Sequence, residues 1–263
     1  MQYIIYFLLA LASTTVGALT GLGGGVIIKP LMDVLGDYDT QTIGVVSSIT
    51  VFTMAIVSIL KQLKSKTAIP FNTAIPLSVG SIVGGFFGQK VLDVIIDKLN
   101  ADSIATVVQN IVLAILIFGV IIYMKNKSRI KSRNFGGITV CLAVGLFLGF
   151  CSSFLGIGGG PINVALMIYL FSFDTKTATV CSIVTVLFAQ ISKLATTAIV
   201  TGFAVYDLSV VPLMAIGAVM GGFIGASLNK KCSEKTVEKA FNGVQIFVLV
   251  IAIFNIVRNI ISI

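Results

Sequence analysis

Two runs of glycine hold the residues of this chain best suited to gripping a ligand with backbone alone. They are Gly21, Gly23, Gly24 and Gly25 in the first half, and Gly156, Gly158, Gly159 and Gly160 in the second. Glycine tolerates positive φ and lets a backbone approach a bound group closely. Each run stands immediately before a short apolar segment that reads as a helix. The first N–H groups of a helix lack intrahelical partners and carry the positive end of its dipole. Glycine turns feeding helix N-termini are therefore sites for anions. The same small residues also let helices pack closely in lipid, so a packing role stands beside the binding role. Two copies of the run, each opening a short segment, favour binding.

Hydroxyls follow each run in the next apolar segment: Ser47, Ser48 and Thr50 in the first half, Ser182 and Thr185 in the second. They could donate to an oxyanion, or satisfy themselves on carbonyls one turn back in their own helix. Asp39 and Asp174 stand in matching DTQT and DTKT segments. Each reads as the N-cap of the following helix, with proton coupling as the sharper alternative. Lys29 and Asn163 lie on the short segments at positions that do not match. Lys29 could attract an anion or snorkel to the interface. Gln190 and Lys193 fall late in an apolar span, where polar groups are functional candidates, although Lys193 is near enough to the helix end to snorkel.

The elements that carry these residues come from a duplication. Residues 21–52 and 156–187 align without a gap at an offset of 135, with nearly half of the positions identical. The glycines, Asp39 with Asp174, Thr40 with Thr175, Ser47 with Ser182 and Thr50 with Thr185 all coincide. The similarity resumes at Ile75 and Val211, in IPLSVGSIVGGFFG and VPLMAIGAVMGGFIG. Residues 1–124 therefore form one transmembrane repeat and 135–263 the other, joined by a basic cytoplasmic linker, 125–134. Each half reads as a long helix (2–20; 135–155), a glycine break, a short helix (26–36; 161–171) and three spans (41–60, 70–90, 104–124; 176–196, 209–228, 236–257). The glycines of 80–88 and 217–225, at helical spacing inside unbroken spans, mark packing faces.

Composition sets the environment. Hydrophobic residues make up 57% of the 263 and charged residues only 11%, with a mean hydropathy of +1.07. A water-soluble domain carries about a quarter charged residues, so most of this surface faces lipid. The fold class is an all-α, polytopic helical bundle of the membrane. The net charge of +8 sits in short loops, which is the bias of membrane topology and not a nucleic-acid surface. Histidine is absent, which excludes Ser–His–Asp chemistry, histidine metal clusters and histidine proton relays. Cys141, Cys151 and Cys181 lie in apolar runs and no CxxC pair exists, so neither a disulfide framework nor a metal site is indicated. No cofactor is expected. The first apolar run, Tyr3 to Leu19, lacks a basic leader and reads as a retained helix.

The short helices, at about 11 residues and ~16 Å, cannot cross a bilayer. If each turns back, every half crosses an odd number of times and the halves are inverted. With the Lys125–Arg133 loop cytoplasmic, 13 of the 18 Lys and Arg residues then lie inside. A parallel eight-span arrangement separates them less well, so the positive-inside bias favours inverted repeats with both termini outside.

On the GLGGG segment with Pro30 (Gly21 to Pro30), its second copy with Asn163 (Gly156 to Asn163) and the glycine-spaced stretch from Pro76, the chain resembles the TauE/SafE family, over nearly its whole length. That resemblance implies inner-membrane transport of small sulfur-containing anions such as sulfite, sulfoacetate or other organosulfonates. The resulting expectation is a secondary carrier. The two breaks would face each other near the midplane, and helix N-termini and hydroxyls would replace the anion's water while the halves rock. Asp39, Asp174, Lys29 and Lys193 are the coupling candidates, with a proton or the membrane potential as driving force. A passive anion pore is the alternative. Lipid and a small anion are the expected partners, and the GxxxG faces are compatible with a homo-oligomer.

Overall fold

The computed structural model describes residues 2–65, 70–99, 102–157 and 159–261. Among these, the regular structure is entirely helical, in ten α-helices and one 3-10 turn. The first half holds α1 (Gln2–Thr20), α2 (Gly25–Leu35), α3 (Thr40–Lys64), α4 (Phe71–Leu99) and α5 (Asp102–Asn126). The second holds α6 (Ile138–Leu155), α7 (Pro161–Phe171), α8 (Thr175–Val200), α9 (Val211–Lys231) and α10 (Glu234–Ile261), with the 3-10 turn Phe203–Val205 before α9. Eight of the helices are long and apolar enough to cross a membrane; α2 and α7, at 11 residues each, are not. Most spans run a few residues past the lengths the hydropathy suggests, because polar end turns extend them; α1 matches its expected bounds, and α6 begins at Ile138, three residues later than expected.

Contacts bring the end of each short helix near the start of the long helix before it. Gly24 packs against Ser13 and Thr14 of α1, and the chain just past α2 returns to the start of α1, where the Tyr6 hydroxyl donates to Asp37 Oδ2 at 2.5 Å. In the second half the amides of Arg133 and Phe135, ahead of α6, donate to the carbonyls of Tyr169 and Leu170 at the end of α7, at 2.9 and 2.7 Å. Asp39 and Asp174 then start the following helices. Each carboxylate accepts from an amide of the first turn, Thr42 N at 2.8 Å and Thr177 N at 3.0 Å, and from the hydroxyl of the same threonine at 2.5 Å. Both are therefore N-caps.

The halves interlock through their glycine stripes. Gly80, Gly84 and Gly88 of α4 meet Leu142, Leu146 and Phe150 of α6, while Gly145 and Gly149 of α6 meet Leu77 and Ser81. In the same manner Gly217, Gly221 and Gly225 of α9 lie on Phe7, Leu11 and Thr15 of α1. A β-carbon at Gly84 would fall 1.9 Å from the Leu146 carbonyl oxygen, so these faces are occupied within one chain. Residue numbers rise together along both contacts, hence α4 runs parallel to α6 and α1 to α9. The end of α5 meets the start of α10, where Lys127 Nζ lies 2.5 Å from Glu238 Oε2. The start of α8 joins them: the Thr175 amide donates to Glu234 Oε1 and Lys176 Nζ to the Lys230 carbonyl. With Lys61 stacked on Phe223, the basic loops gather at one end of the bundle.

Candidate functional site

The two glycine breaks meet at the centre of the bundle. A β-carbon at Gly25 would lie 2.2 Å from the carbonyl oxygen of Ile157, so the first turn of α2 rests directly on the second break. Reciprocally, Gly21 lies against Val164 of α7 and Thr179 of α8, and Gly160 against Val26. The breaks need glycine for shape as well as space: Gly24 has φ +72° and Gly159 φ +104°, values that side chains on an L-residue disfavour. Gly158 lies outside the described residues. Asn163 is buried on the first turn of α7, beside Gly159.

Hydroxyls hold this crossing together unequally. Ser182 Oγ donates to the Gly21 carbonyl at 2.7 Å, and Thr179 Oγ1 lies 3.2 Å from the Thr20 carbonyl. Ser48, Thr50 and Thr185 instead donate to Gly44, Val46 and Cys181, each one turn back in its own helix. Ser47 Oγ is fully buried and has no hydrogen-bond partner.

The strongest electrostatic feature is a small cavity at the second break, about 10 Å³, which is room for roughly one water molecule. Its lining includes Lys29, Gln89, Gln109, Gly156, Lys193 and Tyr206. Lys29 and Lys193 are 3% and 2% exposed, so neither snorkels to the surface. Both reach Gly156: a β-carbon there would lie 3.2 Å from Lys29 Cδ and 3.6 Å from Lys193 Nζ. Lys193 Nζ, from late in α8, donates to the Gly44 carbonyl at the start of α3, 3.0 Å away. Lys29 Nζ is 3.7 Å from Asp33 Oδ1, which is long for a charge-assisted hydrogen bond. Gln109 ties the cavity to the break by donating Nε2 to the Phe154 carbonyl at 2.6 Å. Its Oε1, the Asn110 Oδ1 and the Asp33 Oδ2 have no hydrogen-bond partner.

Lys29 and Lys193 are thus brought together with Gly156, whereas Asp39 and Asp174 stand in caps and do not line this cavity, although Thr40 and Gln41 beside Asp39 do. Asp33, Gln109 and Asn110 belong to the cluster although the glycine and hydroxyl patterns do not point to them. The signal for Asp33 is its i,i+4 spacing from Lys29. The signal for the amides is two adjacent polar residues inside an apolar span. Gln190 is buried, with Oε1 unpartnered, in the same helix as Lys193. Among the described residues no three metal-ligating side chains come together. The arrangement brings two buried lysine amines to one break, around a space of about one water molecule.

Comparison with known proteins places the chain in a family. The chain is 26% identical to "Probable membrane transporter protein YunE" of Bacillus subtilis (strain 168), covering 90% of this chain and 92% of that protein. It is 25% identical to a "Probable membrane transporter protein" of Methanocaldococcus jannaschii, covering 83% of each. No solved structure matches. The sequence model described as "Sulfite exporter TauE/SafE" matches residues 6–252, and with eight helices fit to cross a membrane the chain is a multi-pass membrane transporter belonging to the TauE/SafE family.

Proposed function

We propose that this transporter is a secondary carrier of a small sulfur oxyanion or organosulfonate, such as sulfite or sulfoacetate, in the inner cell membrane. It would bind the anion where the two breaks meet and work by alternating access. The single observation that carries the reading is the pair of buried lysines at Gly156. Buried charges are costly unless paired, and here two ammonium groups adjoin one long ion pair with Asp33. Asp93 of α4 is the other acid that Lys193 feels, and a small anion in the cavity would give both lysines a closer partner. The family description, which names a sulfite exporter, supplies the class of anion.

The architecture supports alternating access. Helices α2 and α7 act as re-entrant segments, which leaves three crossings after each hairpin and inverts the second half relative to the first. The interlocked α1–α9 and α4–α6 pairs would move as two rigid units around the central crossing, the behaviour of other inverted-repeat carriers.

Thermal-shift titration of the purified protein with sulfite, thiosulfate, sulfoacetate, taurine, sulfate and chloride tests the reading, because a ligand that binds only the folded state raises its melting temperature. We expect a saturable shift with at least one sulfur oxyanion. In Lys193→Met its half-saturating concentration should rise about tenfold or more, the usual scale for losing a hydrogen bond to a charged group. Equal shifts in wild type and variant would remove the anion from this cavity. Saturable, competable flux in vesicles distinguishes the carrier from a pore, whose flux stays linear in concentration.

A further inference from the structure

The duplication is symmetrical in backbone but not in charge. At the offset of 135, Lys29 corresponds to Val164, Asp33 to Ile168 and Lys193 to Ser58. The residues packed around Gly156 include two lysines, whereas those around Gly21 are Val164 and Thr179. Ionisable chemistry is therefore built into one side of the crossing only, and whatever it does happens once per cycle.

Its least settled member is Asp33. The side chains of Asp33 and Lys29 are each 3% exposed, at 3.7 Å from each other. Lys29 Nζ makes no hydrogen bond, and neither does Asp33 Oδ2. The two neighbouring amide oxygens of Gln109 and Asn110, both on α5, also lack donors, while the Asn110 side chain is the uncharged group that hydrogen-bonds the carboxyl. The charged groups around it are few. Lys29 lies on its own helix. Lys193 approaches from α8 and is electrostatically coupled to Lys29 and to Asp93 of α4. Arg258 of α10 donates to the carbonyl of Val34. From α6 the contacts are Leu155 and the following Ile157, and from α5 the uncharged Gln109, Asn110 and Leu113. Lys29 is thus the one cation within ion-pair distance of Asp33 among the described residues.

An anion entering the cavity faces the same ammonium. Lys29 lines both the anion cavity and the smaller space that holds Asp33. If Lys29 turns to the anion, Asp33 becomes a buried carboxylate without a cation, a state that is neutralised by protonation. We propose that Asp33 is the proton acceptor of the transport cycle: anion and Asp33 compete for Lys29, and binding of the anion drives one proton onto the Asp33 carboxylate, so that anion and proton cross together. One O–H bond forms, with a proton from the side the anion enters. It breaks on the other side when the anion leaves and Lys29 returns to Asp33. No electrons move.

This inference rests on the anion reading above, and the test separates the two. Thiosulfate is used because it does not titrate near neutral pH. Its binding to wild-type protein is followed calorimetrically in buffers of different ionisation heat, which counts protons taken up per anion bound. We expect close to one proton in wild type, with an affinity that falls towards tenfold per pH unit as pH rises past the titration of Asp33. In Asp33→Asn, uptake should drop to zero, the affinity should lose that pH dependence, and a pH gradient across vesicles should no longer drive thiosulfate uphill. Thiosulfate binding by wild type without proton uptake overturns the coupling and leaves the anion site standing. Proton uptake that persists in a folded Asp33→Asn protein assigns the proton elsewhere and equally overturns it. Absence of thiosulfate binding at every pH defeats the thiosulfate site itself, and the inference falls with it. The proton count in wild type needs no variant, so a variant that fails to fold does not protect the idea.

Discussion

A serine or threonine hydroxyl has one proton to give, and where that proton goes decides whether it can serve a ligand. Ser48, Thr50 and Thr185 give theirs to carbonyls of their own helices, so as donors they are already engaged. Ser182 clamps the first break through the Gly21 carbonyl, while its counterpart Ser47 is buried with its proton unassigned. The matching serines were visible in the sequence; their different partners were not, because those depend on which side chains face the crossing from the other half. The caps behave more regularly. Burial pushes the Asp174 carboxyl up, but hydrogen bonds from the Thr177 hydroxyl and from the Thr177 and Lys176 amides outweigh it and hold the carboxyl below the ordinary range. A carboxyl held low contributes stability that is complete above its unfolded value, near pH 4, and is lost as pH falls through its folded value. Asp174→Ala should therefore cost about 1 kcal/mol at neutral pH, and the difference from wild type should shrink below about pH 4. Melting curves recorded from pH 7 down to pH 3 check this; a deficit that stays constant across that range would mean the charge contributes nothing.

At the scale of helices, glycine has two separate duties, and spacing tells them apart. Glycines three and four apart inside a span flatten one face, as at Gly80, Gly84 and Gly88. Glycines clustered at a helix end bend the chain back, as at Gly21 to Gly25. Both duties were legible in the sequence, as were the helices and caps, because hydrophobic runs and capping residues act locally. The partner of each glycine face was hidden, since nothing in the α4 pattern names α6. The Lys193–Gly156 contact was hidden for the same reason: it joins the late part of α8 to a break 37 positions earlier in the chain. The packing duty can be measured. Gly84→Ala sets a β-carbon against the Leu146 backbone, and overpacking of this kind costs about 1–3 kcal/mol. Gly119→Ala in α5 meets no atom within 4 Å and replaces a poor helix former, with an expected gain of up to about 1 kcal/mol. Melting temperatures of the two detergent-purified variants should move in opposite directions. A harmless Gly84→Ala would mean that α4 and α6 are not in backbone contact.

At the scale of the whole molecule, the question is how the halves lie relative to the membrane, and charge and packing bear on it independently. The basic residues of the α5–α6 loop share an end with the starts of α8 and α10, through Lys127 with Glu238 and Thr175 with Glu234. Tyr6, Asp37 and Tyr38 mark the other end through their mutual contacts. Val210, ahead of α9, belongs to the same buried cluster as Tyr6, so the α8–α9 turn belongs there as well. Inverted halves put the α5–α6 loop and the α8–α9 turn on opposite sides of the membrane, whereas parallel eight-span halves put both on the same side. Single cysteines at Ser128 and Ser209, in a chain whose four native cysteines are replaced, make the distinction directly. In intact cells a membrane-impermeant thiol reagent should label Ser209→Cys and leave Ser128→Cys unlabelled until the membrane is opened. Labelling of both, or of neither, before permeabilisation would break the inversion. The hairpin roles of α2 and α7, and with them the central crossing as the pivot of alternating access, would then need a different arrangement.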